Sequence, residues 1–351
     1  MEQRSNAWLK TGATTFLSIL AAFVVSGVVL LIGGHSPIEA FGTMAQGAFG
    51  DADAWGKTLA KTTPLILTGL AVAIAFKGGL FNIGAEGQLY LGGMTAALVG
   101  VYMTGVPGFI HAFIALAAGG IVGALWAGIA AYMKVKWKAH EVIVTIMMNY
   151  IATLFTAYLV NYTFKAEGMV PRTEEVAASV QLPTLIPHSQ LTVGLFIAIG
   201  CALFLFWFMK YTVPGYEIRA VGLNPDAART GGISIGWRMI FAMLLSGFFA
   251  AIAGGVEVLG VHHYFLQGIS PGYGFDGIAV AVLARNNPIA ILFSALLFGA
   301  LRAGATGLDR HTDIPGDFVV MIQAFVVIFV ATPWLVRKYK LRKKRVNQHG
   351  S

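Results

Sequence analysis

Charge is what this chain has least of. Only 11% of its 351 residues are Asp, Glu, Lys or Arg, whereas 57% are hydrophobic and mean hydropathy is +0.73. Soluble domains carry about 25% charged residues, so a water-soluble globule is excluded. Cysteine is almost missing: the lone Cys201 sits in an apolar run and rules out an intrachain disulfide framework. Motors are missing as well. The nearest approach to a phosphate-binding P-loop, residues 50–58, has five residues between its glycines instead of four and no preceding strand. His262 and His263 are adjacent rather than spaced i, i+4 as in a helical zinc pair, and no G-x-S-x-G nucleophile elbow occurs. The chain is expected to be no enzyme by itself, with neither metal nor cofactor of its own.

What is present is a succession of apolar runs about 18–22 residues long, the length that crosses a bilayer as a helix. Ten passes are expected, at roughly 14–32, 62–76, 83–103, 109–132, 142–162, 191–209, 239–260, 276–285, 288–302 and 317–335. The first run follows Arg4 and Lys10, but it is long for a signal peptide and no small-residue cleavage site follows, so a retained span is expected. Placing the N-terminus inside puts 18 of the 24 basic residues on the inner face, seven of them in the tail 336–351. Lys57, Lys61, Lys165, Arg172, Arg302 and Arg310 remain outside. Lys and Arg near spans resist translocation, so both termini are expected in the cytoplasm. The same bias, with the lipid bilayer as partner, accounts for the net charge of +8 without any nucleic acid.

Several passes are interrupted. Lys77-Gly78-Gly79-Leu80-Phe81-Asn82-Ile83-Gly84-Ala85-Glu86-Gly87-Gln88 breaks the second from the third, and Gly272-Tyr273-Gly274-Phe275-Asp276-Gly277 precedes the eighth. Polar, glycine-rich backbone at membrane depth is tolerated only where protein or a watery cavity surrounds it. Phe81 and Asn82 are expected toward the inner side and Phe275 and Asp276 toward the outer, a faint hint of an inverted repeat. Glu86, Glu141, Glu257 and Asp276 are acids in or near spans and so functional candidates by default. For Glu86, near Lys77, and Glu141, beside His140, capping or ion pairing competes with cargo contact. Asn82, Gln88, Asn149 and Asn161 suit a polar solute or interhelical hydrogen bonds. Phe81, Tyr90, Tyr273 and Phe275 suit a ring-bearing cargo or an ordinary aromatic belt. Outside, 41–48 reads as a short interfacial helix and 169–189, with three prolines, as an irregular loop.

A polar island, 210–238, carries its own helix signals. Asn224 suits the N-cap, Pro225 the first helical position, Asp226 the positive helix end and Gly231 a left-handed C-terminal residue. A helix of about six residues is far below the roughly 12–15 needed for marginal stability alone, so it must lean on something. A second protein at the membrane surface is a candidate.

These residues resemble a family. The runs Gly79-Leu80-Phe81-Asn82-Ile83-Gly84-Ala85-Glu86-Gly87-Gln88 and Glu141-Val142-Ile143-Val144-Thr145-Ile146-Met147-Met148-Asn149-Tyr150-Ile151 look like permease subunits of bacterial nucleoside-type ABC importers. So do Gly215-Tyr216-Glu217-Ile218-Arg219-Ala220-Val221-Gly222-Leu223-Asn224-Pro225-Asp226-Ala227-Ala228-Arg229 and Ser270-Pro271-Gly272-Tyr273-Gly274-Phe275-Asp276-Gly277. The match covers about residues 35–335, and the wider group includes ribose and branched-chain amino acid permeases. The resemblance implies an all-α membrane protein similar to the vitamin B12 importer (type II) fold, with 1–351 as one transmembrane domain in a bacterial cell membrane. It implies a second permease, the same or related, two cytoplasmic ATPase subunits holding ATP and Mg, and an outer solute-binding lipoprotein. It carries the island onto a coupling role, with Glu217, Arg219, Gly222, Asn224, Pro225, Asp226, Arg229 and Gly231 toward the ATPase. The pathway candidates are Phe81, Asn82, Glu86, Gln88, Asn149, Glu257, Tyr273, Phe275 and Asp276. Ala284-Arg285 departs from the pattern, where a Leu-Gly pair is expected before Asn286-Asn287-Pro288. Monosaccharides and branched-chain amino acids are the rival cargoes. An ion-driven carrier using Glu257 or Asp276 is the rival mechanism.

Overall fold

A computed structural model of the protein describes residues 2–186 and 189–330. The expected basic tail 336–351 and the end of the last pass lie outside the described residues. Among those described, regular structure is helical, with two isolated bridges, Arg172 to Leu266 and Thr184 to Thr192. The helices are α1 (Glu2–Ile32), α2 (Pro37–Phe49), α3 (Ala52–Lys77), α4 (Ala85–Tyr102), α5 (Gly108–Trp137) and α6 (Glu141–Tyr158). They continue as α7 (Gly194–Tyr211), α8 (Val213–Leu223), α9 (Pro225–Thr230), α10 (Ile235–Val256), α11 (Tyr273–Leu283), α12 (Pro288–His311) and α13 (Phe318–Val330). π-helical turns, Leu159–Thr163 and Glu257–His262, extend α6 and α10.

Six of these segments are long and apolar enough to cross a membrane: α3, α5, α6 with its π turn, α7, α10 with its π turn, and α12. The other expected passes fall on α1, α4, α11 and α13, which are not among the six. Two local assignments change. The helix expected at 62–76 begins at Ala52, because the Asp51 carboxylate caps it by accepting from Ala54 N at 2.7 Å. Lys57 and Lys61 are therefore helical, and Lys57 pairs with Asp53 one turn earlier. Residues 213–223, expected as loop, form α8: Thr212 Oγ1 accepts from Gly215 N at 3.2 Å, Pro214 sits in the first turn, and Gly215, Ile218 and Val221 bury one face.

The chain divides into two compact units, Met1–Gly50 with Leu301–Ser351, and Asp51–Ala300. In the first, Gly47 lies against Gly307 and Gly304 against Met44, while Phe23 meets Phe41 edge to face at 5.4 Å. In the second, α10 is flanked by α3, α4 and α5. Lipid tails supply no hydrophobic drive between helices, so close packing of small residues must hold them. Gly92 lies against the Ala251 backbone, Gly119 against Gly92, and Gly123 against Gly247 and Ala251. The segment 169–189, expected as an irregular outer loop, is tied down. Thr173 N donates to Phe265 O at 2.8 Å, Val176 N to His263 O at 2.8 Å and Leu182 N to Leu259 O at 2.9 Å. It thereby covers the end of α10.

A Cβ on Gly254 would overlap Leu89 O and lie 2.8 Å from Gly93 N, whereas one on Gly200 would meet nothing within 4 Å. Gly254→Ala is therefore expected to destabilise the protein by about 2 kcal/mol. Gly200→Ala is expected to leave stability unchanged or raise it. Thermal unfolding of the detergent-solubilised protein checks both.

Candidate functional site

The break between α3 and α4 is the polar centre of the larger unit, and side chains from other helices close it. Asn82, fully buried, donates through Nδ2 to Gln88 Oε1 at 3.0 Å and to Ser246 Oγ at 2.8 Å. Its Oδ1 accepts from Gly84 N at 2.8 Å, and Ser246 Oγ donates onward to Ala71 O at 2.6 Å. From α6, Asn149 Nδ2 donates to Ile83 O at 2.7 Å and Asn149 Oδ1 accepts from Gly87 N at 2.8 Å. Thr145 Oγ1 accepts from Ile83 N at 3.4 Å. Backbone groups that a helix would satisfy internally are thus paired by amide and hydroxyl side chains, which the apolar surroundings require.

The two glycine-rich breaks, expected at opposite membrane faces, meet side by side. Glu86 Oε2 accepts from Gly274 N at 2.6 Å, and a Cβ on Gly274 would collide with the backbone of Ala85 and Glu86. The reason is that 78–84 leaves the end of α3 without helical turns and delivers the first turn of α4 against the first turn of α11. The Glu86 carboxylate, near Lys77 in sequence, therefore lies between two positive helix ends. Tyr90 OH donates to Ser270 O at 3.4 Å and its ring meets Phe265 edge to face at 6.2 Å.

Asn82, Glu86, Gln88, Asn149, Glu257 and Tyr273 are all buried inside the protomer. Glu257, in the π turn of α10, lies 3.9 Å from His262 Nε2. Phe275 is half exposed, and Phe81 and Asp276 are partly so. Phe81 packs edge to face on Phe76 at 4.7 Å. Of the pathway candidates, only Phe81, Phe275 and Asp276 present accessible surface. Glu141 pairs with Lys134 across the α5–α6 turn at 2.8 Å.

At the end of the unit where α3 and α7 finish, α9 forms with its expected cap. Asn224 Oδ1 accepts from Asp226 N and Ala227 N, each at 3.1 Å. The C-terminus differs from expectation: Gly231 is right-handed, with φ −79°, and Gly232 takes the left-handed turn at φ +78°. Gly232 N donates to Arg229 O and Ile233 N to Ala228 O, both at 3.0 Å, which is a Schellman closure one residue later. Ala228 is the buried side chain of α9, so Asn224, Pro225, Asp226, Arg229 and Gly231 stay exposed.

The other three coupling candidates turn toward their own chain. Glu217 pairs with Arg238 at the start of α10. Arg219 Nε reaches Gly215 O at 3.4 Å. Gly222 presses its Cα onto the backbone of Lys77 and Gly79, and Gly79 has φ +76°. Tyr216 and Leu223 on α8, the latter 87% exposed, and Trp237 in the first turn of α10 are exposed apolar side chains on the two helices that flank α9 in the chain. Sequence reasoning missed these exposed side chains of α8 because α8 was not recognised; the Thr212-Val213-Pro214 cap was the available signal.

Six bilayer-length helices, glycine-mediated packing, a paired break in mid-unit and an exposed capped helix describe a multi-pass helical membrane protein. Comparison with known proteins makes this specific. Residues 55–331 match the family described as branched-chain amino acid transport system / permease component. The guanosine ABC transporter permease protein NupP of Bacillus subtilis is 36% identical over 94% of this chain and 97% of its own. The glucose ABC transporter permease protein TsgB13 of Haloferax volcanii is 33% identical over 95% and 90%. The nucleoside ABC transporter permease protein NupB of Lactococcus lactis is 33% identical over 91% and 90%. The chain belongs to this family of ABC transporter permeases.

Asn82→Leu would strand buried groups of Gln88, Gly84 and Ser246. It is expected to cost about 3 kcal/mol, whereas Phe275→Ala at the half-exposed face should cost under about 1 kcal/mol. Equal effects in unfolding experiments would refute the structural role given to the break.

Proposed function

We propose that this permease moves nucleosides inward, driven by a separate ATPase seated on α9. The observation that carries the coupling is the exposed helix Pro225–Thr230, closed at both ends and with Ala228 as its buried side chain. A six-residue helix anchored by Ala228 alone gains little from its own chain, so a docking protein supplies the missing contact. Asn224, Pro225, Asp226, Arg229 and Gly231 form the contact surface. Glu217 and Gly222 hold α8 against the bundle, so that a push on α9 moves the bundle as a body. ATP and Mg belong to the partner.

The relatives named for guanosine and nucleosides support the cargo, and the motifs around the break support the same branch. Solute passes from an outer binding lipoprotein into a route between two permeases of type II architecture, with ten passes and both termini inside. The accessible face of Phe275, Asp276 and Phe81 lines that route, offering ring stacking and one carboxylate. The relative named for glucose favours a second reading, a monosaccharide permease. Competition among guanosine, uridine, ribose, glucose and leucine for uptake by the assembled transporter separates the two. Nucleosides should compete best; glucose competing best would overturn the cargo.

Replacing Asn224-Pro225-Asp226 by three glycines removes the cap and the rigid first turn. Uptake should fall to background while the assembled transporter still hydrolyses ATP. Normal uptake in this variant would reject the coupling role, and uphill transport by the permease alone on a cation gradient would reject the ATP-driven reading.

A further inference from the structure

Beside the coupling segment the larger unit contains a cavity of about 190 Å³ that the transport reading does not use. Its wall joins the end of α3 (Ala73, Ile74, Lys77), the end of α7 (Leu205, Phe206, Met209, Lys210), Arg219 on α8 and the turn before α12 (Asn286, Asn287). Three cations from three helices converge on it, and no carboxylate lines it. Lys77, Lys210 and Arg219 form no ion pair among the described residues. Elsewhere in the unit, Lys57, Lys134 and Arg238 each have a carboxylate partner.

Asn286 and Asn287 are the other polar side chains of the wall, and their amide oxygens are hydrogen-bond acceptors, which do not bind a phosphate. Asn286 Oδ1 is buried without a hydrogen-bond partner. Asn287 Oδ1 already accepts from Ile289 N at 3.0 Å, so the side-chain cations, rather than free backbone N–H groups, make the cavity positive. Arg285 and Asn286 take left-handed φ values of 52° and 56°, a conformation glycine adopts freely and other residues only at a cost. Such strain is kept where the surrounding structure over-determines it.

We propose that this cavity holds the phosphate of an anionic phospholipid headgroup. A phosphate is the shared chemistry of a lipid headgroup and a free anion, and two features favour the lipid. The cavity, about 190 Å³, is open on one side, so a phosphate held in it can continue into a chain that lies outside. Directly beyond Phe206, α7 exposes Leu203, Phe204 and Trp207, an apolar track on a bilayer-length helix where those chains lie. Lys210 Nζ, held 5.4 Å from the Phe206 ring centre and 4.9 Å from that of Tyr211, stands where the track meets the cavity. The bound headgroup braces α8, and with it α9, against α3 and α7. The inference rests on the chain being membrane-spanning and does not depend on which solute it carries.

Native mass spectrometry of the delipidated full-length protein, titrated with phosphatidylglycerol or phosphatidylcholine, tests it. Each basic side chain near a membrane surface contributes about 1 kcal/mol, or about fivefold in affinity for an anionic lipid. Lys210→Gln should therefore weaken phosphatidylglycerol binding about fivefold, and Lys77→Gln with Lys210→Gln about 25-fold, with phosphatidylcholine binding unchanged. Lys77→Arg with Lys210→Arg should retain the wild-type preference. Lys210 is exposed, so its single variant decides the matter should the double variant fail to fold. Unchanged phosphatidylglycerol affinity in the Gln variants overturns the proposal. So does displacement of the lipid by an equal concentration of inorganic phosphate, which assigns a free-anion site. Loss of ATPase co-purification with unchanged lipid affinity would assign the cations to an acidic face of that protein and overturn it equally.

Discussion

Inside a bilayer a peptide group that leaves a helix has no water to bond, and each such group left unpaired costs several kcal/mol. The segment 78–84 imposes that demand in the middle of the larger unit. Asn82 and Asn149 meet it by acting as donor and acceptor at once, each bonding a backbone group of the break or of the first turn of α4. Thr145 and Ser246 bring α6 and α10 into the same set. Because these bonds fix where α4 starts, they also fix Glu86 against Gly274 and so the contact between α4 and α11. The close glycine contacts of α4 with α5 and α10 follow from the same placement.

The break also reaches α8 and, through it, the proposed coupling helix α9. Gly78 and Gly79 end α3 in a turn, and the absence of a side chain at Gly222 lets α8 settle directly on that turn. Glu217 and Arg238 join α8 to the start of α10, while Ile218 and Val221 bury their side chains. Motion applied at α9 therefore meets packed backbone rather than a flexible linker. The route from the exposed cap at Asn224 to the buried amide of Asn82 runs through α8 and the glycine turn, two rigid pieces in contact. The proposed coupling role requires these two things, an exposed surface and an incompressible connection behind it.

Burial separates two populations of polar residue that look alike in a sequence. Asn82, Gln88 and Asn149 are buried and hydrogen-bond the chain itself, away from accessible surface. In the proposed route, discrimination among cargoes falls to accessible side chains such as Phe275 and Asp276. Cations divide in the same way. Those with carboxylate partners knit helices together, whereas Lys77, Lys210 and Arg219 share the wall of one cavity without a carboxylate partner among the described residues.

The amino-acid sequence alone determined the class of this protein. Sparse charge, bilayer-length apolar runs and ordered motifs are local or compositional, and local physics fixes their consequences: helices, caps at Asn224 and breaks at the glycine runs. The N-cap of α9 was legible because capping joins residues two and three apart. Its C-terminal closure was off by one, since Gly231 and Gly232 are equally free to turn and only the packing of Ala228 chooses between them. The start of α3 and the whole of α8 were missed because polar caps at Asp51 and Thr212 resemble loop residues until a buried face is seen. The tertiary structure alone decided that the two breaks adjoin, that most amides are internal glue and that three cations share a cavity. Each depends on residues far apart in the chain brought together, and a one-dimensional pattern carries no information about which distant partner satisfies a hydrogen bond or a charge.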